Sequence, residues 1–409
     1  MSIHVDPGLV ALVAAIVGLG VGAQFLAAKY RVPSVLFLIV AGLAIGPEGL
    51  GIITADTFGE ALSTIVGVSV AIIVFEGSFR LEVETLRNAP RAVWWLITVG
   101  AAIAFLGTAL TVRLLLGASW DVSLLVGALL VATGPTVIAP ILAVVPVREA
   151  VATTLETEGI VNDVTAAILA IVLFKAMTAQ ELAPRGYVLL FAERLGMGAL
   201  TGLVVAAVVW YLLTQVDLPS PAAPQVARLL TLAAAVVAFA IADSVFSEAG
   251  IAAAATAGFT LGNLDLPHRE SILQFKQDVT LLVLSFVFIT LAALLEFAEL
   301  LALGVAGLAV VAVLMMFLRP LIVLLSTAGG GFSIRERLFI SFVGPRGIIP
   351  ASVATLFAIR LQTETPPSDP AGADILLGTV FLVILVTVVL EAGFARQFAA
   401  ALGVIQSDD

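Results

Sequence analysis

The sequence contains no cysteine and only two histidines, His4 and His268. Without cysteine there is no disulfide, thiolate nucleophile or thiolate metal site. Both histidines fall outside the apolar runs, so a histidine metal cluster is excluded as well. Charge is also scarce. Asp, Glu, Lys and Arg make up 12% of the 409 residues, where a soluble domain carries about 25%. No GxxxxGK[ST] string occurs, so direct ATP hydrolysis has no support. The formal charge of −10 argues against a nucleic-acid partner, which calls for a basic patch. No cofactor and no enzymatic activity are expected.

The abundant material is apolar. Hydrophobic residues make up 61% of the chain and the mean hydropathy is +1.17. Water cannot be the solvent for most of such a chain. A membrane crossing takes roughly 20 apolar residues. Thirteen apolar segments can be drawn, at 8–28, 33–46, 57–77, 91–116, 121–146, 151–177, 188–214, 227–246, 249–264, 275–297, 299–325, 333–359 and 374–398. Chain breakers separate them: Gly46-Pro47, Asn88-Ala89-Pro90, Asp217-Leu218-Pro219, Gly329-Gly330-Gly331 and Pro366-Pro367. No segment alternates as a barrel strand does. The expectation is an all-α integral membrane protein of thirteen transmembrane helices, one domain over 1–409, with the lipid bilayer as its surroundings. The start, MSIHVDPG, lacks a basic n-region, so the first run reads as a retained span and not a cleaved signal peptide.

Basic residues set the orientation. One set of loops holds Lys29, Arg31, Arg80, Arg87, Arg91, Arg148, Arg228, Arg269, Lys276, Arg335, Arg337 and Arg396. The other holds Arg113, Lys175, Arg185 and Arg360. This bias puts the N-terminus outside and the C-terminus in the cytoplasm of a cell membrane.

A repeat is visible. GPTVIAP at 134–140 lies in the fifth segment and GPRGIIP at 344–350 in the twelfth; both read G-P-x-x-I-x-P. Seven spans apart, they cross in opposite directions. Residues 8–177 (spans 1–6) and 227–398 (spans 8–13) then form two inverted repeats joined by span 7 at 188–214. Proline removes a backbone donor and clashes with the preceding turn. Spans 5 and 12 are expected to unwind and cross. Interrupted spans at matching places in two halves point to a transporter binding site.

Ionisable residues within spans are costly, by about 3 to more than 10 kcal/mol at the bilayer centre. Span 6 is densest in them, with Glu156, Glu158, Asn162 and Asp163 in TTLETEGIVNDVTAAILAIVLF. Glu158 and Asn162 are four apart and share a face, while Asp163 lies about 140° round from Glu158. The two carboxylates thus meet different neighbours. Asp163 lies half-way through span 6, where a carboxylate can hold a proton or a bare cation but not both. Arg346 follows the break in span 12 and must be paired or hydrated. It can pair with Glu158 or form the cationic end of a broken half-helix.

EGIVNDVTAAIL resembles the Glu-x-x-x-Asn-Asp signature of NhaP-like sodium/proton antiporters, within the monovalent cation:proton antiporter superfamily. The broken span 5 with its Thr-x-Pro and the Gly-x-Arg-Gly of span 12 extend the resemblance over nearly the whole chain. It implies secondary exchange of Na⁺ or Li⁺ for H⁺ by alternating access, electroneutral and one-for-one, in a homodimer. Asp163 is then the ion-binding carboxylate, with Asn162 its neutral neighbour. Thr133 joins Asp163 as a Na⁺ ligand, and Glu158 is the structural acid paired with Arg346. Potassium/proton exchange, an organic-anion symporter and a channel on the same scaffold are the alternatives.

Two positions depart from the family pattern. Thr-Asp-Pro is here Thr133-Gly134-Pro135, and the serine usual after the glutamate is Gly159. Backbone carbonyls, water, Thr136 or Glu156 are the available substitutes. Glu156 lies about 10 Å nearer the cytoplasm than Asp163, either lining an inner funnel or facing water at the helix start. Glu76 stands in the ion path or at a solvated helix end. Glu193-Arg194 are expected to snorkel or to pair across the dimer contact. Arg319, in Arg319-Pro320, is expected to snorkel from a cytoplasmic end. Asp243 and Glu391 receive no role.

Overall fold

In hydrocarbon every backbone N–H and C=O needs a partner within the chain, and helices supply it segment by segment. The computed structural model describes residues 7–30, 34–47, 49–53, 61–134, 137–138, 141–142, 145–178, 184–217, 219, 221–246, 249–293, 297–363 and 370–405. All regular structure in them is helical. Among the described residues, eight helices are long and apolar enough to cross a membrane, and four shorter apolar ones accompany them. The chain is a multi-pass membrane protein.

The helices are α1 Pro7–Tyr30, α2 Ser34–Ile45, α3 Ala61–Arg80, α4 Val83–Asn88, α5 Arg91–Trp95, α6 Ala101–Leu116, α7 Trp120–Leu129, α8 Glu149–Thr178 and α9 Pro184–Gln215. There follow α10 Ala223–Val245, α11 Gly250–Gly262, α12 Arg269–Ala293, α13 Phe297–Ala302, α14 Gly304–Val313, α15 Arg319–Ser326, α16 Ile334–Phe342, α17 Ile348–Thr363 and α18 Pro370–Leu402. Two π turns, Leu96–Gly100 and Leu314–Leu318, join α5 to α6 and α14 to α15.

Two apolar cores hold the bundle. The larger takes side chains from both halves of the sequence, and α8 runs through it. The smaller lies among α3, α9, α10, α11 and α12 and is rich in alanine: Ala234, Ala235, Ala238, Ala253, Ala254 and Ala257. Small residues let helix backbones touch, which drives packing where lipid removes the hydrophobic incentive. Gly258 and Gly262 sit against the carbonyls of Phe75 and Phe79. A Cβ there would come within 2.3 and 2.2 Å of those oxygens. Gly198 and Gly202 of α9 press on the other side of α11 in the same way.

The two segments with the repeated motif are interrupted. α7 ends at Leu129, and residues 132–134 carry no helix before helix reappears at the described residues 137 and 138. α16 ends at Phe342, residues 343–347 carry no helix, and α17 begins at Ile348. Both first halves start on a serine cap. Ser119 Oγ accepts from the Val122 N–H at 3.2 Å, and Ser333 forms a capping box with Glu336. Thr136, Pro135 and Pro140 lie outside the described residues.

Some expectations about charge need correction. Lys276, counted above among loop cations, lies inside α12 and is buried, with its ammonium 3.4 Å from the Phe79 ring centroid. The aromatic face replaces water for that cation. Glu76 is buried and paired with Arg80 one turn on, so it is no solvated helix end. Arg319, expected to snorkel, is buried.

Candidate ion site

The breaks in α7 and α16 leave carbonyls without helical partners, and an arginine serves each set. Arg346 Nη1 donates to the carbonyls of Ala132 at 3.1 Å and Val131 at 3.4 Å, at the end of α7. Arg319 Nη2 donates to those of Val343 at 3.1 Å and Ile340 at 3.3 Å, at the end of α16. A cation is favoured at a helix C-terminus because the carbonyl dipoles point there. Glu158 pairs with Arg319: Nη1 donates to Oε1, and Nη2 to Oε2 at 2.9 Å. The expected partnership of Glu158 with Arg346 is therefore replaced. Arg346 is occupied by the other broken helix, and the guanidinium that forks onto Glu158 comes from the α15 end of the Leu314–Leu318 π turn. The signal available in the sequence was an arginine inside a long apolar run, where a charge needs a buried partner.

The two non-helical pieces meet in backbone contact. The Gly134 N–H donates to the Pro345 carbonyl at 2.8 Å. A Cβ on Gly134 would stand 2.4 Å from Gly347 Cα, and one on Gly347 2.5 Å from Gly134 Cα. Real Cβ atoms essentially never come this close, so the contact as it stands requires glycine at both positions. Gly134→Ala and Gly347→Ala are each expected to force the segments apart, lowering stability by about 1–3 kcal/mol and exchange severalfold. Thermal denaturation in detergent and vesicle flux check both effects.

Asp163 reaches this crossing from the middle of α8. A Cβ on Gly347 would be 3.5 Å from its Oδ1. Asp163, Asn162 and Thr133 are 5%, 3% and 1% exposed. Asp163 Oδ1, Asn162 Oδ1 and Thr133 Oγ1 find no hydrogen-bond partner among the described residues. Buried polar atoms left unpaired in a native fold call for an explanation, a bound ion or water among them. The three are hard oxygen donors, the kind that suits an alkali cation or a proton rather than a soft metal. Thr133, Gly134, Arg346, Gly347 and Asp163 thus meet at one place. Glu158 is engaged by Arg319. Glu156 is exposed on α8.

A membrane bundle with two broken helices in contact beside a buried carboxylate is the architecture of a secondary transporter. Residues 11–398 match the family described as sodium/hydrogen exchanger, transmembrane, and the chain belongs to it. It is 28% identical to Na(+)/H(+) antiporter 1 of Methanocaldococcus jannaschii over 92% of each chain. It is 29% identical to the K(+)/H(+) antiporter NhaP2 of Shewanella sp. strain ANA-3, over 92% of this chain and 64% of that one. Its fold is similar to the structure of the sodium proton antiporter MjNhaP1 from M. jannaschii at pH 8. The TM-score is 0.82 at 26% identity, covering 97% of this chain and 98% of that chain. The chain is an NhaP-like cation/proton antiporter.

Proposed function

We propose that the chain exchanges Na⁺, with Li⁺ as an alternative cargo, for H⁺ one-for-one at Asp163. The observation that carries this reading is the buried Asp163 Oδ1, unpaired among the described residues and set against the crossing of the two breaks. Thr133 and Asn162 supply further oxygens, and the interrupted backbone around Gly134 offers carbonyls. Arg346 stays fixed on the α7 carbonyls and does not neutralise the site by direct pairing. Asp163 is the one acid at the crossing whose oxygen is open to either a cation or a proton. The relatives named for sodium favour Na⁺. The one named for potassium makes K⁺ the second reading.

In the same proposal the chain has thirteen spans in a cell membrane, N-terminus outside, arranged as two inverted repeats and assembled as a homodimer. The π turns support the repeat independently of the sequence motif. They fall in the fourth and eleventh apolar segments, each directly before a broken one. Glu76 lines the cytoplasmic approach in this arrangement.

The test is purified protein in vesicles, with pH jumps against a panel of Na⁺, Li⁺ and K⁺. Proton and cation compete for one carboxylate, so the apparent cation KM is expected to rise as pH falls, with the maximal rate little changed. An imposed membrane potential is expected to leave the rate unaltered. Acceleration by potential would overturn the one-for-one stoichiometry. Co-directional proton and solute movement would overturn antiport.

A further inference from the structure

Glu391 lies in the membrane-buried part of α18, is 2% exposed, and has no part in the exchange chemistry described so far. Its Oε2 accepts from the Gly344 N–H at 2.8 Å. One turn earlier, Thr387 Oγ1 accepts from the Arg346 N–H at 3.3 Å. These two N–H groups belong to the break after α16, which has no helix of its own to satisfy them. α18 therefore braces the break from the side, through two acceptors spaced four residues apart.

When Glu391 is ionised, the brace also carries a charge. The cations that act on the Glu391 carboxylate are Arg319 and Arg346. Arg346 acts electrostatically on Asp163 as well, so both acids feel the same cation. Arg319 is already matched by Glu158. The buried groups around the crossing are then three carboxylates, Glu158, Asp163 and Glu391, against two guanidiniums, Arg319 and Arg346. Ionised and empty, the set carries one negative charge, and one cation or one proton brings it to zero. With Glu391 neutralised, the empty set is already at zero and loading a cation would bury a net positive charge. Glu391 also borders a cavity of about 410 Å³ that Arg319, Arg346 and Gly344 help to line, so the three charged groups face one space.

We propose that Glu391 is a positioning residue of the exchange reaction, which holds the Gly344 end of the break and balances Arg346 so that Asp163 keeps its affinity for a cation. The inference rests on the reading of Asp163 as the exchange site. It predicts that Glu391→Gln, which keeps an acceptor for the Gly344 N–H but loses the charge, raises the apparent cation KM about tenfold. That is the scale of one unit charge acting across about 12 Å at an effective dielectric constant of about 20. The maximal rate should stay within about twofold. The measurement is cation-dependent exchange in proteoliposomes at fixed alkaline pH, where proton competition is weakest, with folded protein quantified by size-exclusion chromatography.

Glu391→Asp keeps the charge and is expected to keep a KM near the parent's. If Glu391→Gln gives no folded protein, this variant carries the test, and a raised KM in it overturns the charge-balancing role. Thr387→Val removes one brace and no charge, and is expected to leave KM unchanged. A Glu391→Gln protein with the parent KM and only a lower maximal rate or yield would reduce Glu391 to a structural acid and overturn the proposal. Asp163→Asn measured in the same vesicles separates the two readings. If it is inactive while Glu391→Gln keeps the parent KM, only the Glu391 proposal falls. If it still exchanges, the reading of Asp163 falls and this one with it.

Discussion

Asp163→Asn is expected to bring exchange down to the level of protein-free vesicles while the protein still folds and elutes as the parent does. Asparagine is nearly isosteric with aspartate, so the crossing of the two breaks keeps its shape. The change removes the group proposed to take up either a proton or a cation at that crossing. It also removes a buried charge whose Oδ1 has no hydrogen-bond partner among the described residues. Burying such a charge is costly, so thermal stability is expected to hold or rise. That combination, full loss of transport without loss of fold, separates a binding residue from a structural one. Flux in vesicles and a melting curve in detergent read the two halves. Exchange surviving in Asp163→Asn would move the assignment to Glu76, which is buried, ahead of Glu156, which is exposed.

The Glu158–Arg319 pair carries the largest expected effect on stability. Each member is buried, and the guanidinium forks onto both carboxylate oxygens. Removing one partner of a buried pair costs roughly 3–5 kcal/mol, because the survivor is left uncompensated. Glu158→Ala is expected to fall in that range. Arg319→Ala is expected to cost at least as much, since it also uncaps the Ile340 and Val343 carbonyls. The double variant is expected to recover part of the loss, and a thermodynamic cycle on the four proteins measures the coupling. The same cycle with Arg346 in place of Arg319 is expected to show much weaker coupling. Simple additivity for Glu158 and Arg319 would mean that the pair does not form.

Much of this was readable from the chain, for physical reasons. The apolar runs were long because the bilayer demands length, so the helical membrane class followed from composition. The paired Gly-Pro motifs located the two interruptions because proline and glycine act on the backbone locally. Asp163 stood out because a charge in an apolar run needs a reason to be there. What the sequence hid was mutual placement. Arg319 was assigned to a helix end because its neighbourhood in the chain is loop-proximal. Packing against α8 and α16 buries it instead. Lys276 was placed in a loop for the same reason, although the rings of Phe75 and Phe79 enclose it. The need for glycine at position 134 became intelligible only when Gly347 was found against it. That contact joins residues more than two hundred positions apart, and no local pattern reports it.

The π turn before Arg319 gives this region one residue of slack in chain length. A π turn accommodates one residue more than the α turn it replaces. Each residue of an α-helix advances the following side chains by about 100°. Deleting one residue within Leu314–Leu318 would let the turn close into ordinary helix with Arg319 still aimed at Glu158. A one-residue deletion in the regular turns of α14 would instead swing the side chains beyond it by about 100°. Among homologous chains, then, a single-residue deletion should be tolerated in this stretch, and in Leu96–Gly100, more readily than in the regular helix beside them. An alignment with such a chain would place its one-residue gap within the turn and keep the register of the helices on both sides.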